Sequence, residues 1–501
     1  MTSLELSVVV GYALLLCILS IYGSHRYAMA YLYYRHKYRL PTPKDRFEQL
    51  PRVTIQLPIF NEMYVTERLI GAVAKIDYPR ELLEVQVLDD STDETQGIAR
   101  ACVDRVRAEG LDIVYIHRTD RSGFKAGALE NGLKTAMGEF VAVFDADFIP
   151  DPHFLRRTVD FFTDPKVGMV QARWGHLNRG YSLLTQVQAI LLDGHFVIEH
   201  TARNRSGRFF NFNGTAGIWR REAIASGGGW QHDTLTEDLD LSYRTQMKGW
   251  QFVYVPQIVT PAELPVEMNA FKSQQHRWAK GSIQTALKVL PRLLDADLPR
   301  EVKREAVMHL TANLAYLLMI PLAILLPITV VVRVSHGWYE VLFLDIPFFA
   351  AATFSVVAFY AASQREQGRT TWQQIKYLPM VMAIGIGLSV NQARAVVEAL
   401  MGYETAFTRT PKHGVASAGE SVTRKRYKAA VTFQPIVELA LAAYMTYGVM
   451  YLIEREVYYS LPFLLLFQVG FGYVGLASVY EGLRGRVGRW VRVLSPQPSP
   501  E

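Results

Sequence analysis

Apolar residues are distributed unevenly along this chain of 501 residues. Long apolar runs lie at the N-terminus and after about residue 305, whereas residues 40–300 mix short apolar runs with polar stretches. A helix needs about 20 apolar residues to cross a bilayer. Five runs approach that length: Leu6–Gly23, Ala306–Val332, Val341–Ala362, Pro435–Ile453 and Tyr458–Glu481. The pattern predicts five membrane spans, with a soluble domain between the first and the second.

The charged residues beside these runs predict their orientation. An acid, Glu5, precedes the first run, whereas Arg26, Arg35 and Lys37 follow it. Because basic residues are retained on the cytoplasmic side, we expect the N-terminus outside and residues 24 onward in the cytoplasm. A cleaved signal peptide would have basic residues before its apolar run instead. We therefore expect the chain in the plasma, or inner, membrane with its soluble domain facing the cytoplasm.

One further segment, residues 377–402, does not fit a simple span. Its apolar part, Leu378–Val390, is short, and Arg394 and Glu398 follow it. A charge at the bilayer centre costs about 2.5–3.5 kcal/mol on insertion scales. A crossing here would also place the basic stretch Arg409–Lys428 outside. We therefore expect an interfacial or re-entrant helix on the cytoplasmic side.

Composition narrows the classes of partner. The net charge is +6, and the basic residues cluster beside the apolar segments. That arrangement favours an anionic membrane surface rather than nucleic acid. The two cysteines, Cys17 and Cys102, exclude a disulfide scaffold and a cysteine metal site.

The soluble domain alternates short apolar runs with amphipathic stretches. Four runs predict strands: Val53–Leu57, Glu84–Leu88, Val114–Arg118 and Phe140–Phe144. A helix is predicted from about Thr66. Alternating strands and helices predict a mostly parallel sheet. No G-x-G-x-x-G motif follows the first strand, so the dinucleotide-binding fingerprint is missing.

Acids follow directly after two of these strands. Asp145 and Asp147 come after the fourth strand, at the edge where open α/β sheets bind ligands. Two carboxylates at this spacing can hold Mg²⁺ or Mn²⁺, which takes substrate phosphates and water as its other ligands. Asp89 and Asp90 follow the second strand and can accept hydrogen bonds from a ribose or a base. Solvated acids in a turn, or a helix cap at Ser91, are the alternatives.

Three later segments add candidate chemistry. Lys125 lies in a glycine-flanked loop, where it can meet a diphosphate or simply face solvent. Asn213 and Thr215 lie in a polar, glycine-rich stretch between aromatic residues, which suits a sugar ring but also a tight turn. Thr236-Glu237-Asp238 opens a helical pattern, where acids can complement the helix dipole or take part in chemistry.

The last candidate segment contains Gln274, Arg277 and Trp278. Trp278 can stack on a sugar and Arg277 can neutralise a diphosphate. Aromatic and basic residues just before a span can equally anchor the chain at the membrane interface.

Taken in order, these motifs resemble the processive, membrane-integral family 2 glycosyltransferases, the cellulose-synthase-like group. The match is to a D, D, D, Q-x-x-R-W pattern, formed here by Asp89, Asp145-Ala-Asp147, Thr236-Glu237-Asp238 and Gln274-x-x-Arg277-Trp278. The sequences of the segments Gln171–Trp174 and Phe212–Gly217 are most like those of the plant-type glucomannan and xyloglucan-backbone synthases. The resemblance covers roughly residues 50–480.

A segment after the predicted interfacial helix is similar to the gating loop of cellulose synthases. This segment runs from Phe407 to Gly414 and includes Thr410 and Lys412. It departs from the family pattern at Arg409, where a valine is usual. In the family this loop closes over the donor, so Thr410 and Lys412 are predicted to bind the donor.

The resemblance implies an α/β GT-A-type domain inserted between transmembrane α-helices. It implies an inverting hexosyl transfer from UDP-glucose or GDP-mannose to a growing β-linked glucan or mannan, with β-1,4 linkage favoured, that is then translocated, with Mg²⁺ or Mn²⁺ as the cofactor. Asp238 would be the general base and Glu237 would orient it or the acceptor. The implied donor-binding residues are Asp89, Asp90, Lys125, Asp145, Arg277, Thr410 and Lys412; the metal ligands are Asp145 and Asp147; the acceptor-binding residues are Asn213, Thr215, Gln274 and Trp278.

The expected segments are an N-terminal helix and stalk (1–38), the glycosyltransferase domain (50–281), interfacial helices (282–305), two spans (306–362), a cytoplasmic segment with the gating-like loop (363–434), two spans (435–481) and a basic, proline-rich tail (482–501). Two other functions stay open. One is transfer of a single sugar to a membrane lipid, and the other is a catalytically silent membrane scaffold. Neither an export partner nor an oligomeric state can be deduced from the sequence.

Overall fold

The fold combines one α/β domain with a set of long apolar helices. The structure, a computed structural model, describes residues 2–338, 345–405, 409–415 and 433–494. Several predicted parts lie outside these ranges: Phe407 and Thr408 of the gating-like segment, residues 341–344 of the third span, and residues 495–501 of the tail.

The α/β domain is built on a seven-stranded sheet. Its strands are β1 (Val53–Ile59), β2 (Leu83–Asp89), β3 (Asp112–His117), β4 (Phe140–Val143), β5 (Val167–His176), β6 (Gly217–Arg220) and β7 (Gln251–Ala262). The strand order is β3-β2-β1-β4-β6-β5-β7. Strand β6 runs antiparallel to β4 and β5, and the other neighbouring pairs are parallel. The predicted mostly parallel sheet is confirmed.

The four predicted strands are β1 to β4. Every residue of β2 and β4 is buried, because both faces of this part of the sheet are covered. The carboxyl ends of the parallel strands β1, β2 and β4 lie at one edge of the sheet. The acids that follow β2 and β4 are therefore brought to the same edge.

Helices cover the sheet and continue into the C-terminal half of the chain. Those of the α/β domain are α2 (Thr66–Val73), α3 (Thr95–Ala108), α4 (Phe124–Leu133), α5 (Phe154–Thr158), α6 (Leu183–Asp193), α7 (Thr201–Arg205), α8 (Arg221–Ser226) and α9 (Glu237–Met247). Short 3₁₀ turns lie at Arg80–Leu82 and Val159–Thr163. A π-helical turn, Gly194–His200, joins α6 to α7.

The remaining helices are α1 (Ser3–His36), α10 (Met268–Asp295), α11 (Arg300–Thr311), α12 (Leu314–Ser335), α13 (Asp345–Phe349), α14 (Ser355–Glu366), α15 (Thr371–Ile375), α16 (Leu378–Gly387), α17 (Ser389–Leu400), α18 (Gln434–Glu454) and α19 (Leu461–Leu494). A π-helical turn, Ala350–Phe354, connects α13 to α14.

Five helical segments within the described ranges are long and apolar enough to cross a membrane. They are Ser3–His36, Leu314–Ser335, Asp345–Glu366, Gln434–Glu454 and Leu461–Arg484. The number of predicted spans agrees with these segments, and the chain is a membrane protein.

The second predicted span, Ala306–Val332, began too early. Residues 306–311 belong to α11, an amphipathic helix that packs on the α/β domain. Its Glu305 accepts a hydrogen bond from Arg203 Nε (2.9 Å) and contacts His25 Nε2 (2.9 Å). The candidate span therefore begins at Leu314.

The segment predicted to be interfacial or re-entrant is bent. Residues 371–387 and 389–400 meet at an angle of 41°, a geometry shared by broken spans and re-entrant loops. Its placement relative to the bilayer stays a prediction.

Helix α10 joins the α/β domain to the membrane helices. It is 28 residues long and crosses the predicted boundary between residues 281 and 282. Near its start, Lys272 Nζ lies 2.6 Å from Glu438 Oε1 of α18. Glu481 of α19 accepts the backbone N–H groups of Met268 (2.6 Å) and Asn269 (2.9 Å), which caps the first turn of α10.

Close packing of α16 on α19 gives a testable prediction. A Cβ atom on Gly387 would lie 2.2 Å from the carbonyl oxygen of Gly470, whereas one on Gly385 would meet nothing within 4 Å. Gly387→Val should therefore destabilise the protein by about 1–3 kcal/mol or more through overpacking. Gly385→Val on the same helix is the matched control. Equal thermal unfolding temperatures for the two variants in detergent would contradict this packing.

Candidate active site

A cavity of about 210 Å³ opens at the carboxyl edge of the sheet, between β1, β4, α9, α10 and residues 409–412. Nearly all the candidate residues line it: Asp90, Lys125, Asp145, Asp147, Asn213, Glu237, Asp238, Gln274, Arg277, Trp278, Thr410 and Lys412. These residues come from segments up to about 300 positions apart. The fold therefore brings the sequence motifs to one place.

Asp145 and Asp147 stand where β4 ends, and each is paired with a lysine. The Lys125 ammonium contacts Asp145 Oδ1 and also donates to the carbonyl oxygen of Gly214 (2.9 Å). Lys412 Nζ lies 2.7 Å from Asp147 Oδ2. Burial raises the pKa of Asp145, and the positive charge of Lys125 opposes that rise. Each of the two carboxylates therefore lies next to a lysine ammonium group.

Glu237 and Asp238 begin α9 on the other side of the cavity. Burial, with the adjacent charge of Glu237, raises the pKa of Asp238 to about 7. Burial also raises the pKa of Glu237, whereas Lys125 opposes the rise. A carboxyl group with a pKa near neutrality is well matched to accepting a proton at physiological pH.

A glycine makes the approach of Asp238 possible. Gly214 has φ +78°, and a Cβ atom there would lie 3.1 Å from Asp238 Oδ2 and 3.3 Å from Lys125 Nζ. The left-handed conformation and the lack of a side chain let the main chain pass directly beside both charged groups.

Helix α10 forms the wall next to the membrane helices. Gln274, Arg277 and Trp278 are spaced i, i+3, i+4, so they share one face of the helix. The Trp278 and Trp174 rings are 6.5 Å apart, and Trp174 also lines the cavity. Aromatic faces beside amide and carboxylate groups are suited to a sugar.

Asp89 and Thr215 do not line the cavity. Asp89 Oδ1 accepts the Ser91 N–H (2.9 Å), and Oδ2 accepts the Tyr115 hydroxyl (2.6 Å). Both Asp89 oxygens thus have partners inside the domain, and the predicted contact of Asp89 with a nucleoside stays a prediction. Asp90 is the acid of this pair that faces the cavity, where Arg118 donates to both of its oxygens (2.8 and 2.5 Å).

Thr215 contacts the backbone of Asp145 rather than the cavity. Its hydroxyl oxygen accepts the backbone N–H of Asp145 (2.9 Å), while its own side chain is fully buried. It was predicted to flank the acceptor, but its contact is with the strand end that presents Asp145.

The segment 409–415 lies across the cavity and is held by Glu263. The buried Glu263 carboxylate accepts hydrogen bonds from the backbone N–H groups of His413 (2.8 Å) and Val415 (3.1 Å). The backbone carbonyl oxygen of Glu263 accepts a hydrogen bond from Lys412 Nζ (2.5 Å). Arg409 Nε lies 3.5 Å from Glu62 Oε1. Sequence reasoning missed Glu263, although an acid at the end of β7 follows the same rule as the acids after β2 and β4.

An aromatic and a guanidinium group were also missed. Phe60 follows β1, and the guanidinium carbon of Arg121 lies 3.3 Å from the centroid of its ring. Both residues line the cavity close to Asp90. The signal was the aromatic residue directly after the first strand of the predicted parallel sheet.

Comparison with known proteins identifies the domain. Residues 51–281 match the family model described as Glycosyltransferase like family 2. The match covers the residues that carry the motifs, and the resemblance inferred from them is confirmed.

Curated relatives are plant enzymes by name. The chain is 40% identical over 295 residues to probable glucomannan 4-β-mannosyltransferase 7 of Oryza sativa subsp. japonica, covering 56% of this chain and 50% of the relative. It is 40% identical over 294 residues to glucomannan 4-β-mannosyltransferase 2 of Arabidopsis thaliana, covering 55% of each chain. The chain thus spans about half the length of the curated relatives it matches.

A solved structure supports the fold. The mannosyltransferase PcManGT from Pyrobaculum calidifontis, in complex with GDP-Man and Mn²⁺, superposes with a TM-score of 0.50 at 23% identity, over 70% of this chain and 98% of that chain. The predicted GT-A fold is confirmed.

The grip of Glu263 on the segment 409–415 can be tested by proteolysis. Glu263→Ala removes a charged acceptor of two N–H groups, each worth about 1.5–3 kcal/mol. We expect trypsin to cleave after Arg409 and Lys412 at least about tenfold faster, as followed by mass spectrometry. Glu67→Ala, which removes a mostly exposed carboxylate, is the control. Unchanged cleavage at both sites in Glu263→Ala would show that Glu263 does not hold the segment.

Proposed function

We propose that this chain is a membrane-integral inverting glycosyltransferase that transfers mannose from GDP-mannose to a growing β-1,4-linked polysaccharide. The observation that carries the proposal is the single cavity that combines paired acids at a strand end, two acids at a helix start and an Arg-Trp wall. The relatives' names support mannose and a glucomannan product, and the GDP-Man complex of the solved neighbour supports the donor. UDP-glucose is the alternative donor.

The acids after β4 fit a divalent cation. Asp145 and Asp147 offer hard carboxylate oxygens at the cavity, where lysine ammonium groups already supply positive charge to both. Within the described ranges no group of three or more His, Cys, Asp or Glu side chains could hold a metal alone. Mg²⁺ and Mn²⁺ commonly use one or two carboxylates together with substrate phosphates and water. When bound, the cation would neutralise the charge that grows on the leaving diphosphate.

The basic residues supply the rest of that positive charge. Lys125, Arg277 and Lys412 enter the cavity from three different segments. Preorganised cations in a buried site stabilise a developing negative charge without reorganising during the reaction. Phe60 and Asp90, at the outer part of the cavity, would face the nucleoside.

Asp238 acts as the general base. As an acceptor hydroxyl attacks the anomeric carbon, its proton passes to an Asp238 carboxylate oxygen, and the bond from the anomeric carbon to the diphosphate oxygen breaks. Attack opposite the leaving group inverts the configuration. Burial, together with the charge of Glu237, raises the pKa of Asp238 and so increases its basicity.

The acceptor would occupy the side of the cavity lined by Trp174, Asn213, Gln274 and Trp278. Helix α10, which carries two of these residues, packs on α17 and α19 of the apolar helices. A polymer leaving along this wall would enter the membrane region directly. Orientation by the positive-inside bias places the cavity in the cytoplasm and translocation outward, across the plasma or inner membrane.

The donor and product can be identified together. Membranes containing the full chain should incorporate mannose from GDP-mannose into a product that β-1,4-mannanase digests, and a chelator should abolish this. UDP-glucose in parallel should give less product. A product confined to glycolipids would favour single transfer to a lipid. No transfer or hydrolysis of either donor would leave a catalytically silent scaffold.

The role of Asp238 makes two further expectations testable. A base is active when deprotonated, so kcat/KM should fall as the pH drops below about 7, the raised pKa of Asp238. Asp238→Asn should lower transfer about 10²–10⁴-fold while GDP-mannose binding is retained. Loss of donor binding in proportion to activity would make Asp238 a donor ligand instead.

A further inference from the structure

The π-helical turn Gly194–His200 brings two histidines together. In a π-helix the backbone bonds connect residues five apart, so His195 and His200 lie one above the other. Their ring centroids are 4.3 Å apart. In an α-helix the same two positions would be rotated by about 140° from each other. π-helical turns are often found at functional sites, and both of these rings reach a residue that lines the cavity.

That residue is Asn213, whose side-chain amide lies between the two rings. Asn213 Nδ2 is 3.0 Å from His195 Nε2, and Asn213 Oδ1 is 2.5 Å from His200 Nε2. Its backbone N–H donates to Gln171 Oε1 (3.1 Å). Both ends of the amide and its main chain are therefore engaged by the protein.

The carboxylate of Glu199 determines the tautomer of His195. A carboxylate only accepts, so the contact of His195 Nδ1 with Glu199 Oε2 (3.0 Å), which Arg203 also contacts (3.2 Å), places the His195 proton on Nδ1. In that tautomer His195 Nε2 is an acceptor, and the amide nitrogen of Asn213, which only donates, lies beside it. An amide oxygen only accepts, so His200 Nε2 carries a proton. Burial holds the pKa of His200 well below its usual range, which keeps its ring neutral.

The His195 tautomer, which Glu199 sets independently of the amide, excludes the flipped amide. Rotation of the amide by 180° would set its oxygen against the lone pair of His195 Nε2, and that contact would be repulsive. The nitrogen has two hydrogens, and His195 takes one, so the other is available in a defined direction. Asn213 lines the cavity and precedes Gly214, which lies directly beside Asp238.

We propose that His195 and His200 are positioning residues that lock the Asn213 amide so that it donates to a hydroxyl group of the acceptor sugar beside Asp238. This inference rests on the proposed glycosyl transfer and adds the group that orients the acceptor. The histidines act through Asn213 and do not themselves touch the sugar.

The test separates acceptor from donor. His200→Leu and His195→Leu, made in the full chain, would be assayed with saturating GDP-mannose and a soluble β-1,4-linked mannotetraose as acceptor. We expect the acceptor KM to rise roughly fivefold to tenfold, since a hydrogen bond to the acceptor is lost or misdirected. The donor KM and the hydrolysis of GDP-mannose in water should stay within about twofold, since Asp145 and Asp147 are untouched.

Conservative variants provide the rescue. Gln at position 200 can donate and Gln at position 195 can accept, so His200→Gln and His195→Gln should recover much of the acceptor KM. Asn213→Asp, which keeps the size but removes the N–H donors, should raise the acceptor KM like the leucine variants. It also keeps the test open if a leucine variant does not fold. His153→Leu, at an exposed histidine that is not among the residues lining the cavity, is the matched control.

The outcomes distinguish the two proposals. Wild-type chain that transfers or hydrolyses no nucleotide sugar overturns the proposed function and this inference with it. Wild-type transfer with unchanged acceptor KM in folded His200→Leu, His195→Leu and Asn213→Asp overturns the positioning role alone. An equal rise in donor and acceptor KM also overturns it, because that pattern reports general damage to the site.

Discussion

Charge compensation inside one buried cavity is the constraint on which this structure depends. Among the described residues, carboxylates and cationic side chains line the cavity together: Glu62, Asp90, Asp145, Asp147, Glu237, Asp238 and Glu263 with Arg121, Lys125, Arg277, Arg409 and Lys412. Buried charges are costly unless they are paired with good geometry. The acids at the end of β4 and the lysines that pair with them come from different segments of the chain, so the folded arrangement of these segments supplies the compensation.

The stretch from Asn213 to Thr215 connects these charges. Lys125 donates to the Gly214 carbonyl oxygen, Thr215 receives the N–H of Asp145, and the histidines of the π-helical turn hold Asn213. The acid at the end of β4, the lysine that pairs with it and the histidines of the π-helical turn thus all contact one short piece of backbone.

Much of the fold could be predicted because its signals are local. The apolar run Phe140–Phe144 predicted a buried strand, and the parallel sheet predicted that its acids would meet others at one edge. What could not be predicted depends on long-range contacts. Asp89 and Asp90 are adjacent, and only the folded strand end determines which one faces the cavity. Residues 306–311 were predicted to start a span, but they form the end of α11. The neighbouring Glu305 of that helix accepts a hydrogen bond from Arg203 of the α/β domain.

The continuity of α10 has a practical consequence for isolating the catalytic part of the chain. The family match ends at residue 281, in the interior of this helix, and the helix start is capped by Glu481 while Lys272 finds its counter-charge on Glu438. A fragment that ends at residue 281 would lack Glu438 and Glu481. The start of α10, the helix that bears Arg277 and Trp278, would then lose its ion pair and its cap. The α/β domain is therefore better regarded as inseparable from the apolar helices, and the whole chain in detergent or nanodiscs is the form to purify.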